Sequence, residues 1–326
     1  MHVINARNVN DAYAQALHYL FVHGEEEASR NGPVVVAPAP VTTVYDHPTE
    51  RVLFSPVRDA NPFFHLMESL WMLAGRDDLA FPLWFNSHFK DYSDDGITIH
   101  GAYGHRWRRH FGTDQLLCIG NELFHNPESR RCVLQMWSAA LDLGKPYRDV
   151  PCNTHVYFDC RHGRLNMTVC NRSNDALWGA YGANAVHMSM LQEFLAAYIG
   201  VPVGIYRQMS NNLHLYQATM PAHPGAAVKD AHDHNYYITK GACRPYPLVD
   251  SNETAADFLL DLEHFFEKAW GQPYRTEYFR GVVLPMYEAW AARKDKTGTG
   301  LEETNRIVAE DWRIACTNWI NRREAK

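Results

Sequence analysis

Residues 150–184 read VPCNTHVYFDCRHGRLNMTVCNRSNDALWGAYGAN, with three cysteines, a polar NRSND and a glycine-rich close. Two runs rich in β-branched and aromatic residues, 154–160 and 164–170, flank Arg161-His162-Gly163. That arrangement predicts a β-hairpin with glycine at the turn. The next segment, 183–200, is apolar at 186, 190, 191, 194, 195 and 198 and closes on Gly200. Apolar character spread so widely around a helix predicts that it is buried. A hairpin feeding a buried helix is the nucleus from which the rest is read.

Outward from there, residues 11–22 read as a helix, and 32–45 and 51–56 as strands from their β-branched content. Residues 62–74 form a helix with Pro62 at its start, Gly75 at its end and Phe63, Met67, Leu70 and Trp71 at helical spacing. The pattern predicts further helices at 129–142, 254–270 and 301–322, and strand character over 203–216. Strands and helices mix without regular alternation, which predicts an α+β fold with a mixed sheet. No repeat, low-complexity stretch or linker divides the chain, so residues 1–326 are read as one domain.

Hydrophobic residues make up 46% of the chain and charged residues 21%, enough for a packed core. The net charge of −6 argues against a protein that grips a nucleic-acid backbone, although a local basic pocket for one phosphate remains open. No apolar run is long enough to span a bilayer, and the first residues read as an amphipathic helix instead of a signal peptide. Seven scattered cysteines suit free thiols in a reducing compartment, which points to the cytoplasm. With no CxxC pair and no HExxH, no metal site is expected.

Buried free cysteines usually act as small hydrophobes, and Cys132, Cys160, Cys170 and Cys316 are read that way. Cys152 differs: it follows a proline and stands just before a strand, where a side chain can face a cleft. A thiolate nucleophile needs a cation to lower its pKa, and Arg172 on the partner strand is in position to supply it. Arginines also stand at Arg30, Arg130 and Arg131, and guanidinium forks match phosphate oxygens. The competing reading for each is an ordinary surface salt bridge.

Taken together, these motifs resemble the thymidylate synthase family, which includes the pyrimidine nucleotide hydroxymethylases. That family carries Pro-Cys-His, Gln-Arg-Ser-x-Asp, a Gly, an Asn and then Asp-x-His-x-Tyr. Here stand Pro151-Cys152-Asn153, Asn171-Arg172-Ser173-Asn174-Asp175, Gly179, Asn184 and Asn212-Leu213-His214-Leu215-Tyr216. Asn184 and His214 fit once one extra residue is allowed in GAYGAN. Upstream, MESLWMLAG (67–75), AYGHRWR (102–108) and NPESRR (126–131) are similar to three further family motifs. The resemblance runs from about residue 30 to 216.

The resemblance implies a large mixed sheet flanked by helices, in a homodimer joined sheet to sheet. It implies addition of the Cys152 thiolate to C6 of a pyrimidine nucleoside monophosphate, which makes C5 nucleophilic, with 5,10-methylenetetrahydrofolate as one-carbon donor. Charge then grows on O4 and N3, where fixed donors stabilise it. Asn184 is the match for that position, Glu68 for proton traffic at O4, and Tyr103 for removal of the C5 proton. Without the resemblance, Asn184 reads as a helix cap, Glu68 as solvent-facing and Tyr103 as a packed tyrosine. Arg30, Arg172, Ser173, Arg130 and Arg131 are expected at the 5′-phosphate, the last two from the partner subunit. His214 and Tyr216 are expected at the sugar, and Asp175, Gly179 and Trp71 at the reduced folate.

Departures from the family favour one branch. A methylating enzyme must exclude water until hydride reaches a methylene on C5. Residues 85–96, FNSHFKDYSDDG, lack the family's Trp-Asp-x-Trp, and WINRREAK at 319–326 is polar where the family has an apolar tail. Water reaching the methylene gives a 5-hydroxymethyl product, the expectation here. An asparagine at 184 favours dUMP over dCMP, although an amide can present either polarity. A dCMP or CMP hydroxymethylase, a thymidylate synthase with a rebuilt lid, and an inactive nucleotide-binding relative stand as alternatives.

Overall fold

The computed structural model describes residues 1–239, 243–267 and 273–325. In chain order its strands are β1 (His2–Ala6), β2 (Glu25–Glu27), β3 (Val34–Val36), β4 (Val41–Tyr45), β5 (Val133–Gln135), β6 (Asn153–Arg161), β7 (Arg164–Asn171), β8 (Asn174–Asp175), β9 (Val203–Ser210) and β10 (Leu213–Tyr216). The hairpin forms where its sequence predicts: β6 and β7 pair antiparallel, and His162 (φ 52) and Gly163 (φ 69) give the two positive φ angles of a tight hairpin turn. A six-stranded mixed sheet runs β1-β4-β9-β7-β6-β5, and a four-stranded sheet runs β2-β3-β10-β8. The fold is α+β with a large mixed sheet, as the sequence predicts.

Five connections cross between the two sheets, and the three short ones, β3–β4, β7–β8 and β9–β10, are tied together. Ala37, between β3 and β4, donates to the Leu213 carbonyl at 2.9 Å. Between β7 and β8 lie Arg172 and Ser173, and between β9 and β10 lie Asn211 and Asn212. Asn211 N–H donates to Asn171 O (2.9 Å) and Asn174 N–H to Asn212 O (2.8 Å). At these bends the backbone leaves one ladder for another.

One face of the large sheet is covered by the helix Asn184–Ile199, which packs in turn on the helix Pro62–Leu73. Leu191 and Leu195 are fully buried, and each such side chain stabilises the fold by about 1.5–3 kcal/mol. Asn61 caps the second helix by accepting from Phe64 N–H, Pro62 occupies its first turn, and Gly75 follows its end at φ 68. On the other face, Thr42, Val44, Ile205, Arg207 and Met209 are half-buried and Val133 and Tyr157 exposed. No helix among the described residues is long and apolar enough to cross a membrane.

Several expected elements differ. Residues 51–56 form no strand: Asn10 donates to Val52 O and accepts from Phe54 N–H, and the Tyr237 hydroxyl accepts from Val52 N–H. Side chains satisfy the backbone there, so no ladder is needed. Residues 129–142 are not one helix but β5 followed by the short helix Ala139–Asp142. Leu134 and Met136 are buried while Val133 and Gln135 are exposed, the two-residue alternation of an edge strand. The stretch 32–45 splits at Pro38 and Pro40, and 203–216 splits at Asn211-Asn212, each half joining a different sheet. The C-terminal helix is two, Leu301–Thr304 and Glu310–Glu324. Thr254 and Asp257 form a capping box on Ala255–Phe266, and residues 268–270 of the expected helix lie outside the described residues.

Candidate active site

Cys152 lies immediately before β6, and its backbone carbonyl accepts from Arg172 N–H at 2.9 Å. Arg172 Nε donates to Pro151 O and Nη2 to Val150 O, both at 2.8 Å. The guanidinium is thus clamped on the cysteine loop, with Nη2 3.8 Å from Sγ. Burial pushes the Cys152 thiol up, and the charges of Arg172 and Arg30 pull it back. The Tyr103 hydroxyl accepts from Cys152 N–H (3.1 Å) and Asn153 N–H (3.2 Å), which leaves its own proton to donate elsewhere. Burial raises that phenol well above its ordinary value, so it stays neutral.

Behind the cysteine runs a chain of side-chain amides. Asn171 donates to Asn153 Oδ1, Asn153 Nδ2 to Asn184 Oδ1 (3.3 Å), Asn184 Nδ2 to Asn174 Oδ1 (3.1 Å), and Asn174 Nδ2 to Ser210 Oγ (3.1 Å). All four asparagines are buried. Across GAYGAN, residues Ala176–Ala183 form a π-helical turn, the kind of widened turn that takes up one extra residue. Asn184 N–H bonds the Gly179 carbonyl five residues back. Gly179 has its own reason to lack a side chain: a Cβ there would lie 2.7 Å from Asn174 Oδ1.

In front of Tyr103 is a cleft of about 170 Å³ whose lining includes Glu68, Trp71, Phe89, Tyr92, Tyr103 and Asp149. Glu68 therefore faces the cleft and not bulk solvent. Its Oε2 meets His187 Nε2 at 3.1 Å, without the alignment of a hydrogen bond. Trp71 is 2% exposed, and its Nε1 donates to Asp78 Oδ1 at 3.2 Å. Phe89 and Tyr92 lie on the short 3₁₀ segment Ser87–Tyr92, with Phe89 packed edge-on against Trp71.

On the small sheet, β10 and β8 lie parallel with His214 opposite Asp175. Asp175 caps the π-turn by accepting from Leu177 and Trp178 N–H. Burial raises its carboxyl and lowers the His214 imidazole. His214 Nδ1 is 2.9 Å from Asn212 Oδ1, and the Tyr216 hydroxyl is 3.5 Å from Asn31 Nδ2, beside Arg30. The fold thus gathers Arg30, Cys152, Arg172, Ser173, Asp175, His214 and Tyr216 around the sheet crossings. Arg130 and Arg131 stand apart, exposed before the edge strand β5, and Arg131 pairs with Glu122 at 3.0 Å.

Asp149, Tyr92 and His187 belong to this region without having been singled out in the sequence, and Asn171 and Asn174, quoted within NRSND, were given no role there. Asp149 lies three residues before Cys152, and burial pushes its carboxyl up to about 6. Its position depends on Gly101, whose N–H it accepts at 3.2 Å. No local signal in the sequence marks that contact across 48 positions.

Residues 11–234 match the family model for thymidylate synthase. Over its whole length the chain is 45% identical to a deoxyuridylate hydroxymethyltransferase of Pseudomonas phage M6, covering 95% of that protein. A deoxyuridylate hydroxymethyltransferase of Bacillus phage SP01 is 34% identical over 66% of this chain and 59% of its own. A putative thymidylate synthase of Methanothermobacter marburgensis is 37% identical over 38% of this chain and 55% of its own. Its sequence motifs, its mixed sheet and these matches place the chain in the thymidylate synthase family.

Proposed function

We propose that this protein hydroxymethylates dUMP at C5, with a reduced folate as one-carbon donor. The observation that carries this reading is the end-to-end match to the phage M6 deoxyuridylate hydroxymethyltransferase. The thiolate of Cys152 adds to C6 of the uracil, and its electron pair makes C5 nucleophilic. Arg172, Ser173 and Arg30 hold the 5′-phosphate, and His214 and Tyr216 the sugar. The Asn184 amide binds O4 and N3–H, Glu68 handles proton traffic at O4, and Tyr103 assists removal of the C5 proton.

The aromatic wall of Phe89 and Tyr92, the buried Trp71 and the Asp175 carboxylate fit a flat, N–H-bearing pterin ring. Asp175 uses two of its acceptor sites for helix capping and keeps others for a ligand. With Gly179 giving close approach, these residues would hold 5,10-methylenetetrahydrofolate. When bound, that cosubstrate supplies a methylene carbon to C5. Tyr92 is 48% exposed, so this wall admits water, and water completes the product.

The half-buried face of the large sheet is where a second copy pairs in this reading. Arg130 and Arg131, outside the cluster of their own chain, then reach the partner's phosphate site. The seven free thiols suit a cytoplasmic enzyme.

The test is incubation with 5,10-methylenetetrahydrofolate and either dUMP or dCMP. Expected are tritium release from [5-³H]dUMP, a product heavier than dUMP by one CH₂O unit, and no rise in dihydrofolate absorbance. Formation of dTMP with dihydrofolate, or turnover of dCMP alone, overturns the proposal.

A further inference from the structure

We propose that Asp149 is the catalytic base for the water that completes the hydroxymethyl group. This inference rests on the hydroxymethylation reading and names the residue that sets its hydration step. Methylation needs no water, whereas hydroxymethylation needs one water deprotonated beside C5. A carboxylate within the cleft, free of any cation and next to the nucleophile, is what that step requires.

Asp149 meets those conditions. It lines the same cleft as Glu68, Trp71 and Tyr103 and precedes Cys152 by three residues. Its charge acts on both the Cys152 thiol and the Tyr103 hydroxyl. Among the described residues its hydrogen bond is the one from Gly101 N–H to Oδ2, and a Cβ on Gly101 would lie 2.5 Å from that oxygen. The missing side chain lets the carboxyl sit against the backbone, held by one donor and with acceptor sites to spare. The two basic groups whose charges reach it, Arg106 and His100, are both bonded to Asp142. Glu68, the other carboxyl of the cleft, is turned toward His187. Burial holds Asp149 near 6, high enough to accept a proton and low enough to be ionised at neutral pH.

The step balances. The nucleotide, bonded through C6 to Cys152, carries an exocyclic methylene on C5 once the folate has left. Water oxygen bonds to the methylene carbon, and its proton goes to Asp149. The C5–methylene π pair moves onto C5 and O4 as an enolate. That pair then re-forms C5=C6 as the C6–S bond breaks, and Cys152 leaves as thiolate. Asp149 returns its proton to solvent.

Asp149→Asn is expected to bind dUMP and to keep a first-turnover burst of tritium from [5-³H]dUMP. Hydroxymethyl-dUMP formation should fall about 100-fold. Added 2-mercaptoethanol should then capture the methylene as a 5-thioether, seen by mass spectrometry. Product formation at the wild-type rate overturns the proposal, and so does loss of the tritium burst in step with product in a variant that still binds dUMP. If Asp149→Asn fails to bind dUMP, Asp149→Ala with added formate decides. Formate-dependent recovery of product supports the base, and no recovery overturns it. Wild-type enzyme that makes dTMP, or no nucleotide product, counts against the hydroxymethylation reading itself and is seen before any variant is made.

Discussion

Asn153 Nδ2 donates to Asn184 Oδ1 at 3.3 Å, on the side of the Asn184 amide opposite its donation to Asn174. One N–H and one lone pair of Asn184 are left over. Uracil offers an acceptor at O4 and a donor at N3, and cytosine the reverse at both. The polarity of the amide chain therefore bears on base choice. Turning Asn184 alone would set N–H against N–H and O against O, so the chain must turn as a unit. In the observed polarity the orphan at its end is Asn171 Oδ1. The reversed chain would orphan a buried N–H, which is the costlier defect.

Asn153→Asp puts an acceptor where Asn184 now receives a hydrogen bond, and this should turn Asn184 over. The ratio of dUMP to dCMP affinity, by calorimetry, should fall about tenfold or more. Asn174→Asp keeps an acceptor facing Asn184 Nδ2 and should leave the ratio within about threefold, although it adds the same charge. Equal ratios in the two variants would refute the positioning role.

Cys152→Ala should lose at least about 10⁴-fold in turnover and retain dUMP affinity within about threefold, because the phosphate and sugar contacts do not involve sulfur. Arg172→Met should raise the Cys152 thiol pKa further, because it removes the nearer of the two cations that oppose burial. The readout is iodoacetamide alkylation against pH, whose midpoint should move upward. A midpoint that stays put would detach Arg172 from the thiol.

What the sequence disclosed, and what it hid, divides along a physical line. The hairpin was legible because alternation and a His-Gly turn are local signals, and the 184–199 helix because its apolar residues surround it. Residues 51–56 misled because Asn10 and Tyr237, far away in sequence, take over the backbone bonds of a strand-like composition. Residues 129–142 misled because Leu134 and Met136 fit either period until β6 supplies a partner. Cys152 and Arg172 were readable as a pair from hairpin register. The nucleotide and folate assignments came only with the family resemblance. Asp149 escaped because its one hydrogen bond and the room it occupies come from a glycine 48 positions away.

Gly104, inside the Tyr-Gly motif, packs against the end of the 62–73 helix, and a Cβ there would collide with the Met72 carbonyl oxygen. Backbone on both sides leaves nothing to rotate away. Gly104→Ala should cost about 3 kcal/mol or more and lower Tm by about 4 °C or more. A thermal melt unchanged within about 1 °C would show that the two segments separate easily.

Asp311 carries a pH signature of its own. It is 1% exposed, and burial pushes its carboxyl from 3.8 to about 6, against hydrogen bonds from Tyr237 O–H and Trp312 N–H and the charge of Arg51. A carboxyl raised on folding binds its proton more tightly in the native state. Its contribution is full below the unfolded value near 4 and is lost as pH rises through about 6. The gap is worth roughly 3 kcal/mol in all, of which roughly 2.4 kcal/mol falls between pH 4 and 7. Asp311→Asn cannot titrate and should escape that share of the loss, whatever its absolute stability. Asp149, also near 6, keeps its own share in both proteins. Urea midpoints at pH 4, 5, 6 and 7 should therefore converge toward, or cross in favour of, the variant as pH rises. Parallel curves would mean that Asp311 is already ionised at pH 4 in the folded chain.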